Sequence, residues 1–114
     1  MDSLLLGSAL EMLVMEVIAQ GPSYGYEIAQ TVAGQSGGTF EMKEGSLYPA
    51  LHRLERHKFL RAIWREAEGR RRKYYELTDA GRKELASRKR LWLRFAAGIN
   101  GVLGSNQAGL ADTT

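Results

Sequence analysis

The chain contains no cysteine, and this absence excludes several kinds of chemistry at once. A protein without thiols has no disulfide, no thiolate nucleophile and no cysteine-ligated zinc site. Long apolar runs are also missing, since none approaches the roughly 20 residues that cross a bilayer. The start, Met1-Asp2-Ser3, lacks the positive charge of a secretory signal. We therefore expect a cytoplasmic protein without a membrane segment and with the composition of an ordinary globular domain.

The residues of a catalytic or metal site are scarce as well. The two histidines, His52 and His57, are five positions apart and do not share a helix face, as ligands four apart would. No carboxylate cluster completes a site around them. Ser46 follows a glycine but lacks the Gly-x-Ser-x-Gly pattern of a hydrolase nucleophile. The sequence therefore predicts neither an enzyme nor a metal or cofactor site.

Positive charge is concentrated in one segment of the chain. The 114 residues suffice for one domain, and their formal net charge is +3. Residues 1–51 hold one lysine and six acidic residues, whereas residues 52–73 hold nine basic residues against three acidic ones. A solvated face that only aids solubility is the ordinary interpretation of a basic run. Its position directly after a predicted helix favours a surface that meets a phosphate backbone.

Periodicity predicts two helices in the first third of the chain. The first helix carries an apolar stripe at spacings of three and four, and Gly21-Pro22 ends it. Met12 and Met15 lie off this stripe, which indicates a second apolar face for a partner helix. Ser23 is the expected N-cap of a second helix over residues 24–32, and residues 33–39 form a loop. The inward stripes consist of Leu6, Leu10, Leu13, Val14, Val17 and Ile18 on the first helix, and Ile28 and Val32 on the second.

A third helix and a basic hairpin follow. The helix is predicted to begin near Gly45-Ser46, with Pro49 in its first turn, where a missing N–H is tolerated. Strand-like segments over residues 60–65 and 72–77 flank a bend at Gly69. This is the order of parts in a winged helix, where one helix enters a DNA groove and a hairpin lies along the phosphates. The helix turns Leu47, Leu51 and Leu54 inward and Ser46, Tyr48, Pro49, His52, Arg53 and Arg56 outward.

The last third predicts one long helix, which Thr78-Asp79 caps. Its apolar side extends past any core that a small domain offers, so we expect much of it to meet a second subunit. That side consists of Leu85, Leu91, Trp92, Phe95, Ala96, Ile99, Val102 and Leu103. The predicted fold class is mainly α with a small β-hairpin. It divides into a winged helix-turn-helix DNA-binding domain over residues 1–77, a C-terminal dimerisation helix over 78–103 and a flexible tail over 104–114.

Three blocks of the sequence resemble the PadR family of bacterial transcriptional regulators, in the same order and spacing. They are residues 21–28 (GPSYGYEI), 44–55 (EGSLYPALHRLE) and 69–81 (GRRRKYYELTDAG). Each block alone is a weak signal, but the combination is specific. Two positions depart from the family pattern. Tyr24 stands where the family most often has histidine, and Lys58 stands where a helix-ending glycine is usual, at a cost of about 1 kcal/mol if its backbone is left-handed.

The resemblance implies a ligand-responsive repressor that dimerises through its first and last helices and binds a pseudo-palindromic operator in double-stranded DNA. Arg70, Arg71 and Lys73 would supply charge to phosphates without reading bases. Arg53 could clamp a phosphate or contact a guanine in bidentate fashion. Tyr24 could equally be an amphipathic ring of the core. The residues matching the family's DNA-facing pattern are Tyr24, Tyr26, Ser46, Tyr48, Pro49, Arg53, Arg70, Arg71 and Lys73.

Trp92 matches a tryptophan that lines a flat pore at the dimer centre in some PadR-like proteins. The resemblance implies that a pair of these indoles could stack on a planar aromatic small molecule, the inducer. The alternative for Trp92 is plain packing within the dimer.

A different class of function uses the same fold. A winged helix can serve as a protein-interaction adaptor without specific DNA binding, whose basic hairpin meets an acidic partner. Steeply salt-dependent binding to duplex DNA separates a repressor from such an adaptor.

Overall fold

Two helices and a short strand open the fold. The computed structural model describes residues 3–113, with side chains described for residues 9–104. Helix α1 spans Ser3–Ala19, strand β1 Ser23–Tyr24 and helix α2 Gly25–Gln35. The prediction that Ser23 caps α2 is wrong. Ser23 lies in β1, its hydroxyl donates back to the Gly21 carbonyl at 3.1 Å, and Tyr24 precedes α2 without a side-chain cap.

Helix α3 spans Glu44–Arg56 and buries Leu47, Leu51 and Leu54, as predicted. Since α3 begins earlier than expected, Pro49 lies inside the helix and not in its first turn. Its missing N–H leaves the carbonyl four residues earlier without the usual helical donor. Beyond the helix, Lys58 has φ +64°, so its backbone is left-handed and the cost of about 1 kcal/mol applies. The Phe59 N–H then bonds to the Leu54 carbonyl at 3.0 Å, which closes a Schellman motif.

Strands β2 (Leu60–Ala67) and β3 (Arg70–Leu77) form the predicted hairpin, the wing. Both strands are longer than predicted, because the two-residue turn at Glu68 and Gly69 adopts positive φ at both positions. Arg70 and Arg71, which the prediction left in the bend, are therefore strand residues. Strand β1 pairs antiparallel with the other edge of β3, so the sheet has three strands in the order β1-β3-β2.

Helix α4 spans Asp79–Thr113, and its capping by Thr78 is confirmed. The Gly81 N–H donates to Thr78 Oγ1 at 3.0 Å, and that hydroxyl in turn donates to the Lys58 carbonyl at 2.7 Å. A Cβ at Gly81 would stand only 2.1 Å from the Phe59 carbonyl oxygen. Absence of a side chain at Gly81 therefore lets α4 start directly against the end of the α3–β2 connection.

The hydrophobic core lies between α1, α2, α3 and the inner face of the sheet. Its largest fully buried side chains are Met15, Ile28, Leu51, Leu54 and Val14. Met15 is 0% exposed, so the prediction that it faces a partner helix is wrong, and only Met12 remains at the margin of the core. Leu10, Val17 and Ile18 are buried as predicted, whereas the side chain of Leu6 lies outside the described residues.

Helix α4 leaves this core soon after Leu85. Its next large apolar side chains are exposed, namely Leu91, Trp92, Leu93, Phe95, Ile99, Val102 and Leu103. Within residues 3–113, no helix is both long and apolar enough to span a membrane. The helix continues to Thr113, but Thr114 and the side chains after Gly104 lie outside the described residues, and the flexible tail stays a prediction.

Candidate nucleic-acid interface

A cleft of about 580 Å³ separates the helix-turn-helix from the wing. It brings together six of the nine side chains predicted to face DNA. Of the described residues that line it, four are cationic and none is acidic, so the cleft carries a concentrated positive field. The lining consists of Tyr24, Gly25, Tyr26, Tyr48, His52, Arg70, Arg71, Arg72, Lys73 and Tyr75.

The basic side of the cleft is the edge of β3 that β1 leaves uncovered. Strand β1 pairs only with Tyr74 and Tyr75, so within the described sheet the stretch from Arg70 to Lys73 has β2 as its one strand partner. Side chains alternate along a strand, so Arg71 and Lys73 share the face of Tyr75. Arg70 and Arg72 point to the opposite face. The open edge of β3 thus offers cations on both of its faces.

Aromatic rings hold two of these arginines in place. The Arg71 guanidinium lies 5.0 Å from the centre of the exposed Trp64 ring, across the hairpin. The Arg72 guanidinium lies 4.5 Å from the centre of the Tyr24 ring, which itself packs edge-to-face on Tyr74. Such cation–π contacts orient a guanidinium without neutralising it. Tyr24 thus packs on its neighbours and also lines the cleft.

Lys73 connects the wing to helix α3. Its Nζ donates to Glu55 Oε1 on α3 at 3.2 Å. Partial desolvation lowers the pKa of Lys73, but the hydrogen bonds to Glu55 and Tyr75 outweigh it and leave the pKa above its usual value. Lys73 is therefore fully protonated at neutral pH. Tyr75 is 2% exposed and belongs to the core, and its burial raises the pKa of its phenol.

Tyr48 closes the floor of the cleft through its fit against Gly25. A Cβ at Gly25 would lie 2.6 Å from the Tyr48 hydroxyl and 2.9 Å from the ring carbons Cε1 and Cζ. Only a glycine at the start of α2 leaves room for this ring. Tyr26, one residue further on, is 65% exposed and stands at the mouth of the cleft.

Ser46 and Pro49 lie outside the cleft, exposed on α3 as predicted. Arg53 is also exposed but stands about 140° around the helix from Tyr48. Tyr48 therefore faces the wing, whereas Arg53 faces α1. Its Nε donates to Glu11 Oε2 at 2.8 Å. The structure thus separates Arg53 from the side chains that line the cleft. Ser46 and Pro49, about 20° and 40° from Arg53 around the helix, lie on the same side of α3.

Four lining residues are absent from the set that the sequence predicted, and one of them is the core residue Tyr75. Arg72 belongs to the same basic run as its neighbours, and the strand pairing alone reveals that it also reaches the cleft. His52 was expected only to point outward from α3. Gly25 carries no side-chain signal, and the contact with Tyr48 depends on how α2 and α3 cross. No pattern within one helix could have revealed it.

A second hollow of about 300 Å³ lies between α1 and α4, beside Trp92. Its lining is mostly apolar and includes Met12, Leu13 and Leu93. One ion pair borders it, between Lys89 Nζ and Glu16 Oε1 at 2.7 Å. The centres of the Trp92 and Phe95 rings are 5.8 Å apart, and Trp92 is 45% exposed. The structure therefore places Trp92 at an open apolar hollow, away from the cationic cleft.

The side chains of the cleft suit the binding of an anionic partner. Within the part of the chain that the structure describes, no three histidine or carboxylate side chains gather as metal ligands. The cleft instead offers guanidinium, ammonium, phenol and imidazole groups, which suit phosphate oxygens and base edges.

Comparison with known proteins identifies the family. The profile described as "Transcriptional regulator PadR-like family" matches residues 14–87. An uncharacterized protein of Lysinibacillus sphaericus is 31% identical over 84 residues, which are 73% of this chain and 77% of that protein. A transcriptional regulator of Mycobacterium tuberculosis is 30% identical over 83 residues, 73% of this chain and 75% of its own. The crystal structure of a PadR-like transcriptional regulator from Bacillus cereus superposes with a TM-score of 0.76 at 33% identity, covering 86% of this chain and 94% of that one.

The match spans the features built up above, from the core of α1 through the helix-turn-helix and the wing to the start of α4. With this fold and this profile, the chain belongs to the PadR-like family of transcriptional regulators.

Proposed function

We propose that this regulator is a repressor that binds a pseudo-palindromic operator as a homodimer and releases it when a small molecule binds. The cationic cleft between α3 and the wing carries the DNA-binding part of the proposal. There, four cationic side chains and two exposed tyrosines surround one opening. No role in catalysis is proposed.

DNA contacts divide between α3 and the wing. The exposed ridge of α3, the proposed recognition helix, carries Ser46, Pro49 and Arg53 and enters the major groove, where Arg53 meets a phosphate or a guanine. Tyr48 beside this ridge reaches a phosphate or a base edge. Arg70, Arg71 and Lys73 lie along the flanking phosphates, together with Arg72. Tyr24 and Tyr26 offer hydroxyl groups at the mouth of the cleft. The wing therefore supplies affinity and α3 supplies sequence preference.

Dimerisation through residues 78–103 is the second part of the proposal. The exposed apolar side chains of α4 form a patch too large for a helix that faces only water, and a second copy of α4 is a partner with a matching apolar surface. Residues 1–77 would then form the DNA-binding domain of each subunit. A two-fold dimer places its half-sites about one helical turn, roughly 34 Å, or a multiple of that apart.

The response to a small molecule is assigned to the hollow beside Trp92. In a dimer, two such indoles could sandwich a planar aromatic ligand. Fluorescence tests this, provided that Trp64→Phe first removes the other tryptophan of the chain. A planar dye should then quench Trp92 fluorescence at micromolar concentration. Quenching that is equally strong for free tryptophan would refute the site.

Selection of bound duplexes from a random DNA pool tests the function as a whole. The full chain should enrich a sequence with two related half-sites, and its affinity should fall steeply with salt. Arg71→Ala should weaken binding similarly on selected and random duplexes, because Arg71 is proposed to contact phosphates only. Arg82→Ala, which removes an exposed arginine of α4 outside the cleft lining, is the matched control. Absence of DNA binding at low salt would instead favour the protein-interaction adaptor.

A further inference from the structure

One carboxylate joins the recognition helix to the two helices behind it. Glu11 of α1 accepts the Nε–H of Arg53 on α3 through Oε2 at 2.8 Å. Its other oxygen, Oε1, accepts a terminal N–H of Arg88 on α4, also at 2.8 Å. Arg88 is held in addition by Glu84 at 2.6 Å. Three helices thus meet at the Glu11 carboxylate, two of them through an arginine.

The Arg53 guanidinium lies at the border between this cluster and solvent. The Arg53 side chain is 44% exposed, whereas that of Glu11 is only 23% exposed. Partial burial raises the pKa of the Glu11 carboxyl, but the hydrogen bonds from Arg88 and Arg53 outweigh it and bring the pKa below its usual value. Glu11 is therefore a fixed negative charge at neutral pH, next to an arginine on the exposed part of the recognition helix.

A DNA phosphate that approaches Arg53 meets this negative charge. The phosphate and Glu11 both bind the same guanidinium, and they repel each other because their charges have the same sign. Binding of one therefore weakens binding of the other. Arg88 acts in the opposite direction, because it compensates the Glu11 carboxylate and so reduces its hold on Arg53.

From this geometry we infer that Glu11 is a positioning residue that competes with backbone phosphate for Arg53, and that Arg88 on α4 sets the strength of this competition. The inference rests on the DNA binding proposed above. When α4 moves so that Arg88 leaves Glu11, the carboxylate holds Arg53 more firmly and DNA is released. A change at the proposed dimerisation helix thereby reaches the DNA surface through two hydrogen bonds.

The test measures duplex affinity by fluorescence anisotropy over a range of salt, with the full chain and a random-sequence duplex. Glu11→Gln keeps the size of the side chain but removes its charge, so it should tighten binding about two- to fivefold per subunit. The salt slope should steepen by about 0.9 per subunit, as expected for one additional phosphate contact. Arg88→Gln should have the opposite effect and weaken binding, although Arg88 lies outside the lining of the cationic cleft.

Two controls separate this competition from a general effect of charge. Glu16→Gln removes the same charge from the same helix, but Glu16 pairs with Lys89 on α4 and not with a residue of α3. It should therefore change affinity much less than Glu11→Gln does. In an Arg53→Ala background, Glu11→Gln should add nothing, because the contested guanidinium is gone. Thermal melting of each variant checks that it is folded.

Equal gains from Glu11→Gln and Glu16→Gln would overturn the inference while leaving the proposed function intact. A gain from Glu11→Gln that persists without Arg53 would overturn it as well. If the unchanged chain fails to bind duplex DNA at low salt, the proposed function itself falls, and the competition falls with it.

Discussion

The start of α4 depends on the absence of a side chain at Gly81, and Gly81→Ala should therefore destabilise the fold. The new Cβ would stand 2.1 Å from the Phe59 carbonyl oxygen and 3.0 Å from Leu77 Cδ1. The first of these atoms belongs to the backbone and cannot rotate away. The methyl group would instead push the first turn of α4 outward by roughly 1 Å.

The size of the effect follows from what this shift breaks. Overpacking of a fixed site costs about 1–3 kcal/mol. Two hydrogen bonds would also weaken, from the Thr78 N–H to the Phe59 carbonyl at 3.1 Å and from the Thr78 hydroxyl to the Lys58 carbonyl. Their weakening would cost about 1 kcal/mol of stability in addition. The better helix propensity of alanine offsets about 1 kcal/mol of this loss. We expect a net loss of about 1–3 kcal/mol in the free energy of unfolding.

Urea unfolding followed by circular dichroism measures this change, at one fixed protein concentration because a dimer's stability depends on it. Gly34→Ala is the matched control, since Gly34 is also helical but no atom lies within 4 Å of its added Cβ. That variant should gain up to about 1 kcal/mol from helix propensity. If Gly81→Ala is as stable as the unchanged chain, the steric reasoning is refuted.

Three further predictions concern single residues. Lys58→Gly should stabilise the chain by about 1 kcal/mol, because its φ of +64° is strained for lysine; no gain in urea unfolding would contradict this. Gly25→Ala should leave the melting temperature nearly unchanged, because Tyr48 can rotate away, yet weaken DNA binding in the anisotropy assay; retained affinity would exclude Tyr48 from the interface. The lowered pKa of Glu11 means that its stabilising contribution is complete above the unfolded pKa and disappears as pH falls through the folded one. Between roughly pH 5 and 3 the unchanged chain should therefore lose stability faster than Glu11→Gln, and parallel losses would contradict this.

Local patterns were sufficient to predict the helices and the hairpin. The inward leucines of α3 and the Thr78 cap were predicted from residues close in sequence, and both are confirmed. The left-handed backbone at Lys58, stated only as a condition, is also present. The errors concern interactions between elements. Ser23 has the composition of a helix cap, but pairing with β3 places it in a strand. Met15 lies off the predicted stripe of its own helix, yet its side chain is fully buried.

In the candidate site, too, local features were predicted and contacts between elements were not. The charge of the segment from Arg70 to Lys73 predicted its place in the site, and the resemblance to the family predicted the tyrosines. The pairing of Arg53 with Glu11 joins residues 42 positions apart. Nothing in either segment alone specifies that contact, because it depends on how α1 and α3 cross. Charge and periodicity predict the secondary structure and the exposed side chains of a segment. Which side chains of two segments contact each other depends on how the elements pack.

Strand β1 has two residues, but it mechanically couples the parts of the domain that are proposed to touch DNA. Through Ser23 and Tyr24 it bonds the entry of α2 to the middle of the wing, while Lys73 bonds the wing to α3. The hairpin is therefore tied to the helices at two places, and we expect helix α3 and the wing to move together. An effector would then act less by changing the shape of either DNA-binding domain than by changing the distance between the two DNA-binding domains of a dimer.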